Sequence, residues 1–291
     1  MPTWWVGATL VVEPRFEAKQ MLDRIEAEQS TAVIGVPSHY LFMLDELESR
    51  PRSIPSVRLW DYGGAAMPKE AIYKIAALFP DAEQRQQYGM TETGPSGTIL
   101  LPQHTFDHID TIGQPMPLCH IRVVDQEHRL LKRGETGNIQ VKSPANMIGY
   151  YKDPEGTERV LHQGWIYTGD KGWIDAHGFL HFADRAADII NRGGLNVSST
   201  EIEDVLYRHS DILEAAVIAI PHDKLGEDLM AVVVPRPEII LQSDVLNEFC
   251  RQYLADYKSP RHYMYVKALP KNAMGKIDKV ALRKQVITGD A

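Results

Sequence analysis

The beginning of the chain alternates between two kinds of apolar pattern, and this alternation constrains the fold more than any other feature. Short apolar or β-branched runs predict strands, and apolar residues at helical spacing predict helices between them. In chain order these are strand Ala8–Val12, helix Phe16–Gln29, strand Thr31–Val36, helix Ser38–Leu47 and strand Val57–Tyr62, with Pro68 at the start of another helix. Repeated strand–helix–strand units predict a mostly parallel sheet covered by helices.

The pattern changes between Ile112 and Ala183, where short alternating segments are separated by Gly, Asp and Pro. These segments, among them Gly164–Thr168 and Gly172–Asp175, predict an antiparallel, barrel-like β subdomain. After Asp184 smaller α/β units return, and Ser198 with Glu201 forms a capping box before a helix. We therefore expect an α/β and α+β protein with a large domain at residues 1–183 and a small α+β domain at residues 184–291. Within the large domain, residues 1–111 would form the α/β region and residues 112–183 the β subdomain.

Charge and cysteine content narrow the class of partner. With 31 Lys+Arg against 39 Asp+Glu the net charge is -8, which argues against nucleic acid but not against a small phosphate ligand. Cys119 and Cys250 match no disulfide framework, which favours buried thiols in a reducing cytoplasm. We expect no membrane span and no signal peptide, and the sequence leaves open whether the chain forms a homo-oligomer.

The densest functional signal is the heptapeptide Tyr88–Gly94, YGMTETG. It places two threonine hydroxyl groups and a carboxylate between two glycines, directly after an aromatic ring. Such a loop can stack on a base, bond a phosphate and offer an oxygen ligand to Mg2+. The same seven residues also suit an ordinary capped surface turn.

Three further segments carry groups suited to a nucleotide. GWIYTGD ends at Asp170, whose carboxylate can accept both hydroxyls of a ribose diol, although a turn-capping role is the more common one for a lone Gly-Asp pair. Arg185 follows at the predicted domain boundary, where its planar fork suits a ribose or phosphate and where an exposed ion pair is the alternative. The polar loop PKNAMGKID presents Lys276, a mobile charge for a carboxylate or phosphate, or merely a solvated lysine.

Six segments together resemble the motifs of the adenylate-forming superfamily, which includes acyl- and aryl-CoA synthetases, nonribosomal adenylation domains and luciferases. In chain order they are GGAAMP (Gly63–Pro68), YGMTETG (Tyr88–Gly94), GYYKDPEGT (Gly149–Thr157), GWIYTGD (Gly164–Asp170), ADRAADIINRGGLNVSSTEIE (Ala183–Glu201) and PKNAMGK (Pro270–Lys276). The resemblance covers essentially the whole chain. It implies ATP-dependent activation of a carboxylic acid as an acyl adenylate, followed by transfer to a thiol, usually CoA.

The resemblance also implies roles for particular residues. Tyr88 would stack on adenine, Thr91 would bond the α-phosphate, Glu92 would hold Mg2+ and Lys276 would serve adenylation. The implied ATP/AMP-binding set is Gly63, Gly64, Ala65, Tyr88, Gly89, Met90, Thr91, Asp170, Arg185 and Lys276. The C-terminal domain would be a mobile lid that pivots at Ala187 or Asp188 and brings Arg192, Gly193 and Gly194 to the CoA channel.

Two departures from the family pattern bear on this interpretation. Ala187 stands where the family usually has Asp or Lys, so the pivot would shift to Asp188 or act differently. The family's Ser/Thr/Gly-rich phosphate loop is absent from the 291 residues, so the chain resembles roughly the C-terminal half of a typical member. We expect an acid–CoA ligase present as an incomplete chain, with an adenylation domain that loads a carrier protein and a nonenzymatic AMP-binding remnant as alternatives.

The acid itself is not identified by the sequence, although fatty acid metabolism is the expected setting. Trp60, Tyr62 and the segment Gly94–Thr98 hint at an apolar acyl or aryl group. Core packing is the alternative for these aromatic residues, and it is favoured for Trp60.

Overall fold

The protein is described by a computed structural model that covers residues 5–185, 188–272 and 275–288, with backbone only at Arg185, Ile287 and Thr288. Three five-stranded sheets follow one another along these residues. The chain passes from the second sheet to the third between Arg185 and Ile190.

The first sheet has the strand order β1-β2-β3-β4-β5. Its strands are β1 (Ala32–Gly35), β2 (Leu59–Gly63), β3 (Glu83–Tyr88), β4 (Thr98–Leu100) and β5 (Gln114–Pro115), and its helices are α1 (Ala18–Ala27), α2 (Pro37–Ser49) and α3 (Lys69–Leu78). The three longest strands are parallel, as predicted, and β4 and β5 are antiparallel. Helices and strands enclose an apolar core around Leu22, Tyr40, Trp60 and Ile72.

The strand predicted at Ala8–Val12 is wrong, because the described backbone there is irregular and exposed. Its apolar residues match the strand pattern, but in the described structure β1 pairs with β2 alone, and residues 8–12 join no sheet. A strand needs a neighbour to satisfy its backbone hydrogen bonds, so the pattern alone does not make one.

The second sheet is antiparallel, as the sequence predicts. Its strands are β6 (His120–Val124), β7 (Gly137–Lys142), β8 (Leu161–His162), β9 (Trp165–Ile174) and β10 (Leu180–Arg185), and α4 (Pro154–Val160) precedes β8. The predicted strands Gly164–Thr168 and Gly172–Asp175 form the single strand β9. The register of its pairing with β7 shifts between Asn138 and Gln140. This shift places a β-bulge in β9 at Gly169, which has a positive φ.

The third sheet forms the core of the small C-terminal domain. Its strands are β11 (Ile190–Arg192), β12 (Leu195–Val197), β13 (Ile212–His222), β14 (Gly226–Pro235) and β15 (His262–Tyr265), and its helices are α5 (Ser199–Leu206), α6 (Ser243–Tyr253) and α7 (Lys279–Thr288). α5 and α6 contribute to the apolar cluster that holds Cys250, and α7 contributes to a second cluster around Ala216 and Leu282. Cys119 and Cys250 are both buried and free. Within the described residues, every helix is too short or too polar to cross a bilayer.

Candidate active site

The carboxyl ends of β2 and β3 meet at one edge of the first sheet, where Gly63 pairs with Gln87. A β-carbon on Gly63 would stand 2.6 Å from the Gln87 carbonyl oxygen, so only glycine allows this approach. The next residues along the two strands are Gly64 and Tyr88. In open α/β sheets, ligands bind in the crevice beyond the carboxyl ends of the parallel strands, so this edge is the candidate site.

Tyr88 meets Asp170 at this edge. The Tyr88 hydroxyl donates a hydrogen bond of 2.7 Å to Asp170 Oδ2, which joins the end of β3 to the bulge in β9. Thr168 shapes that bulge, because its hydroxyl donates to the Ile139 carbonyl at 2.8 Å and accepts from the Asp170 N–H at 3.1 Å. The local sequence Thr-Gly-Asp therefore aims the carboxylate out of the strand and at the tyrosine.

Arg185 pairs directly opposite Asp170 in the antiparallel register of β10 and β9. Directly opposed residues of an antiparallel pair have α-carbons about 5 Å apart. The backbone of Arg185 therefore stands beside Asp170, whose carboxylate accepts from Tyr88. These three residues are distant in sequence, and the motifs predict that all three serve the nucleotide.

The turn after Tyr88 is built by its glycines. A β-carbon on Gly89 would stand 2.0 Å from the Pro95 carbonyl oxygen, and Gly94 has a left-handed φ of 68°. Thr93 closes the turn, since its hydroxyl bonds both the N–H and the carbonyl of Met90. Thr91, by contrast, is exposed, so its hydroxyl is accessible to a ligand at the site.

Glu92 is half-buried in the same turn and is held from another segment. Its Oε1 accepts a hydrogen bond of 2.7 Å from the Tyr150 hydroxyl, and its backbone carbonyl accepts one of 2.8 Å from the Met147 N–H. This contact, together with burial, raises the pKa of Tyr150 to about 12, so the hydroxyl remains a donor at neutral pH.

The donor set around Glu92 fits a cation that arrives with a nucleotide. Within the described ranges, the chain brings together no group of three or more His, Cys, Asp or Glu side chains able to hold a metal ion. Mg2+ usually keeps several waters and binds through one or two carboxylates plus phosphate oxygens, rather than in an all-protein cage. A single carboxylate beside an accessible threonine meets that requirement.

Lys276 reaches the same edge from the small domain. A β-carbon on Gly64, whose φ is +83°, would stand 2.6 Å from Lys276 Cε and 3.0 Å from its Nζ. The Lys276 N–H donates to Asn272 Oδ1 at 3.1 Å, which folds the loop. The lysine side chain therefore lies against the glycine that follows β2, one residue away from the strand end beside Tyr88.

The loop that carries Lys276 docks on the start of α2. The Ser38 hydroxyl donates to the Gly275 carbonyl at 3.0 Å, and a β-carbon on Gly275 would stand 3.1 Å from His39 Nε2. Burial, reinforced by the positive charge of Lys271, lowers the pKa of His39. The imidazole is therefore neutral at pH 7 and adds no charge beside the lysine.

Two more contacts join the small domain to α2. Lys271 Nζ lies 4.2 Å from the centre of the Phe42 ring, and Arg236 forms an ion pair with Asp45. Arg236 is held in place from behind, because its Nε donates to the Ser210 carbonyl at 2.8 Å. These contacts fix the orientation in which Lys276 faces Gly64.

The predicted CoA-channel residues are divided between the interior and the surface. Arg192 is buried and its Nε lies 2.7 Å from Asp228 Oδ1, while its Nη1 donates to the Tyr257 carbonyl at 2.7 Å. Gly193 and Gly194 form the exposed turn between β11 and β12, with positive φ angles. Arg192 is therefore part of the interior of the small domain, and of these three residues the two glycines are the ones exposed at the surface.

The predicted pivot is described at one of its two residues. Asp188 lies 2.5 Å from Arg283 of α7, so its side chain is tied to the small domain. Ala187 lies outside the described residues. Its role as a pivot stays a prediction.

Asp184 connects the last strand of the second sheet to the small domain. Its Oδ2 accepts hydrogen bonds from the Ser199 N–H at 2.7 Å and from the Ser199 hydroxyl at 2.9 Å. Lys279 Nζ lies 2.7 Å from both Ser199 Oγ and Glu203 Oε1. Burial alone would lower the pKa of Lys279, but the carboxylates of Glu203 and Asp184 outweigh it and raise the pKa. The network places a charged lysine three residues after Lys276.

Several residues of this region differ from the sequence-based expectation or lie outside it. Trp60 and Tyr62 are buried against Tyr40 in the first core, as the alternative of core packing predicts. Asp61 carries no signal in the sequence, yet it is buried and accepts bonds from Arg85 and Gln87 of β3. Tyr150 lies in a family-like motif, but its contact with Glu92 has no signal in the sequence.

Comparison with known proteins identifies the family. The AMP-binding enzyme family model matches residues 1–151, and the model of the AMP-binding enzyme C-terminal domain matches residues 201–276. The chain belongs to the AMP-binding enzyme family. The predicted family and fold class are thereby confirmed.

Relatives and solved structures give the same result over nearly the whole chain. A feruloyl-CoA synthase from Amycolatopsis sp is 33% identical over 98% of this chain and 58% of its own length. Amide bond synthetase McbA from Marinactinospora thermotolerans has a TM-score of 0.86 at 32% identity, with 96% of this chain and 57% of that one covered. The o-succinylbenzoate CoA synthetase (MenE) from Bacillus subtilis, in complex with the acyl-adenylate intermediate OSB-AMP, has a TM-score of 0.83 at 29% identity. That match covers 98% of this chain and 56% of the synthetase chain. The chain spans somewhat over half the length of these proteins.

Proposed function

We propose that this chain belongs to an ATP-dependent acid–CoA ligase and supplies its adenylate-binding edge and its lid. The observation that carries the proposal is the meeting of Lys276 with Gly64 beside the Tyr88–Asp170 pair. A cationic side chain brought to a nucleotide-type pocket by a separate domain suits a reaction in which a carboxylate meets a phosphate.

In the first half-reaction a carboxylate oxygen of the acid bonds to the α-phosphorus of ATP. The bond between the α- and β-phosphates breaks, and pyrophosphate leaves with both bonding electrons. The protein's contribution to such a transfer is positioning and electrostatic stabilisation. Lys276 offsets negative charge where the carboxylate approaches the phosphate, and the exposed Thr91 hydroxyl donates to an α-phosphate oxygen.

The nucleoside is held at the strand ends. Tyr88 offers its ring face to adenine, and its hydroxyl holds one oxygen of Asp170, so the carboxylate is oriented toward the ribose diol. Arg185, opposite Asp170, assists the same contact. Glu92 would hold Mg2+, which neutralises charge on the phosphate oxygens when it is bound.

In the second half-reaction the thiol sulfur of CoA attacks the acyl carbon, the thiol proton is lost and AMP departs. The exposed Gly193–Gly194 turn is our candidate for the wall of the thiol channel. One relative is named a CoA synthase and one structural neighbour an amide bond synthetase. The two names imply different acceptors for the activated acyl group. We therefore infer formation of the acyl adenylate first, and we favour CoA as the acceptor.

The test is ATP–pyrophosphate exchange by the complete gene product with a panel of aliphatic and aromatic acids. We expect exchange with at least one acid, and a thioester on addition of CoA rather than an amide on addition of an amine. Lys276→Ala should lower exchange on the order of 100- to 1,000-fold. It should spare thioester formation from a supplied acyl adenylate.

The exposed lysine variant Lys267→Ala is the matched control and should leave both half-reactions unchanged. Absence of exchange with every acid would refute the proposed function. Equal loss of both half-reactions in Lys276→Ala would refute the role of that residue alone.

A further inference from the structure

We propose that Tyr150 is a positioning residue for Glu92, and that it holds one carboxylate oxygen so that the other meets the divalent cation of the nucleotide. The proposal rests on the function proposed above and deepens it. It gives a role to the segment Gly149–Thr157, to which the sequence alone assigns none. The contact that carries it is the 2.7 Å hydrogen bond from the Tyr150 hydroxyl to Glu92 Oε1.

The backbone of the segment is folded so that Tyr150 has little freedom. The Tyr150 N–H donates to Thr157 Oγ1 at 2.8 Å, and the Thr157 hydroxyl donates to the Asp153 carbonyl at 2.8 Å. Asp153 caps α4 by accepting from the Gly156 N–H at 2.8 Å. The tyrosine is thus anchored to the first turn of a helix.

Gly149 completes this frame. Its φ is +154°, a backbone conformation that residues other than glycine rarely adopt. An added β-carbon would stand 3.1 Å from Thr157 Oγ1. The residue before the tyrosine must therefore be small for the segment to fold back on α4. Gly, Tyr, Asp and Thr of the motif each have a structural task, and together they direct the phenol at Glu92.

A second set of contacts fixes the turn that carries Glu92 against residues 145–147, which lead directly into the segment Gly149–Thr157. The Met147 N–H donates to the Glu92 carbonyl at 2.8 Å. A β-carbon on Gly94 would stand 2.5 Å from the Ala145 carbonyl oxygen. Because the two backbones are in contact at Glu92 and again two residues later, the separation of phenol and carboxylate is set by the fold rather than by a flexible side chain.

Orientation of a ligating carboxylate by a hydrogen bond from outside the metal's own shell is a general feature of metal sites. Loss of such a partner typically lowers metal affinity 10- to 100-fold. A phenol that merely stiffened the segment would instead affect folding and leave cation binding intact. Metal affinity and stability therefore separate the two roles.

The experiment measures Mn2+ binding by electron paramagnetic resonance in the complete gene product with a nonhydrolysable ATP analogue. In Tyr150→Phe we expect Mn2+ to bind about tenfold more weakly. Tyr151→Phe removes the neighbouring phenol, which is 87% exposed, and should bind Mn2+ like the parent. The melting temperature without metal, measured for both variants and the parent, reports separately on any effect of the lost hydrogen bond on folding.

A double substitution tests whether the effect passes through Glu92. In a Glu92→Gln background, Tyr150→Phe should cause no further loss of Mn2+ affinity, because the carboxylate to be oriented is gone. Equal or tighter binding in Tyr150→Phe, the same loss in Tyr151→Phe, or an undiminished loss in the Glu92→Gln background would each overturn the proposal.

The two proposals fail in different ways. If the parent supports pyrophosphate exchange and Tyr150→Phe keeps full Mn2+ affinity, the role of Tyr150 is refuted and the ligase function stands. If no acid supports exchange, the ligase function is refuted, whereas the comparison of Mn2+ affinities still measures what Tyr150 does to Glu92.

Discussion

The side chain of Lys276 lies in the space that a β-carbon on Gly64 would occupy. The added atom would stand 2.6 Å from Lys276 Cε, closer than real β-carbons approach other atoms. Gly64 follows β2 in the large domain, and Lys276 belongs to the small domain. The lack of a side chain at Gly64 therefore leaves room for Lys276 at the strand ends, although 212 positions separate the two residues in the sequence.

The first prediction concerns this pair. Gly64→Ala should displace the Lys276 ammonium group and lower pyrophosphate exchange about 100-fold, since a shift near 1 Å in a positioned group can cost that much. Gly134→Ala is the matched control, because Gly134 has a φ of +84° against +83° for Gly64 but has open space around its added methyl group. An equal loss of exchange in both variants would attribute the effect to backbone strain.

The second prediction concerns the Tyr88–Asp170 hydrogen bond. Tyr88→Phe keeps the ring face but leaves Asp170 without this donor, and we expect AMP to bind about tenfold more weakly, in line with the ~1.5 kcal/mol of a bond to a charged group. Isothermal titration calorimetry with AMP measures the change. Tyr73→Phe, a half-exposed tyrosine of α3, should bind AMP like the parent. Unchanged affinity in Tyr88→Phe would show that the hydroxyl does not prepare the site.

The third prediction concerns the ion pair between Arg236 and Asp45, which joins the two domains. A partly exposed pair is worth up to about 1 kcal/mol. Arg236→Ala should therefore weaken the docked orientation by up to about fivefold and lower the ratio of adenylation to thioester formation. Arg261→Ala removes an ion pair with Asp256 inside the small domain and should leave the ratio unchanged. An unaltered ratio in Arg236→Ala would remove this pair from the docking contacts.

The fourth prediction is a pH dependence of stability. Burial raises the pKa of Asp204 in α5 to about 6 from 3.8, against the opposing charge of Lys69. Because the folded-state value is raised, the native state gains stability from the protonated acid at low pH and loses it as the pH rises from 3.8 through about 6. Asp204→Asn should thus melt like the parent at about pH 3.5 and at a higher temperature than the parent at about pH 8.

The control for this measurement is Asp223→Asn, at an exposed position of the turn between β13 and β14. Asp223→Asn removes an exposed carboxylate and gives the baseline against which the Asp204→Asn difference is compared. Thermal unfolding monitored by circular dichroism at each pH gives the comparison. A difference in melting temperature between Asp204→Asn and the parent that stays constant with pH would mean that the Asp204 carboxyl titrates alike in the folded and unfolded states.

Local features of the fold follow from the sequence where the apolar pattern and the caps agree. The helix predicted after Ser198 is α5, and the Ser198 hydroxyl accepts the Glu201 N–H at 3.3 Å, which is one half of the predicted capping box. The other half does not form, because the Glu201 carboxylate accepts from Lys258 Nζ instead of the Ser198 N–H. β3 gives no such pattern, because its residues Glu83–Tyr88 are almost all polar. Its buried face carries Gln84 and Gln86, and the Gln84 side-chain amide donates to the Ile72 carbonyl at 3.0 Å, so polar side chains stand where apolar ones would have marked a strand.

The residues of the candidate site could be recognised, but their arrangement could not. The motif series predicts that Tyr88 and Asp170 share a ligand. Their direct bond depends on a bulge in β9, and the register shift that creates it arises from pairing with β7 rather than from β9 alone. Likewise, nothing local to Tyr150 indicates Glu92, 58 residues before it, as its partner.

The bonds of Asp184 matter for recombining this chain with a relative. By its backbone Asp184 belongs to β10, the last strand of the second sheet, but its carboxylate accepts hydrogen bonds from Ser199 in the small domain. In a chimera joined directly after Arg185, the acceptor Asp184 and the donor Ser199 would come from different parents. Their buried hydrogen bonds would then form only if the two parents happened to match at both positions. A crossover in the exposed turn at Asp175–Gly178 would transfer both together, so the natural unit of exchange begins one strand earlier than the visible break between the sheets.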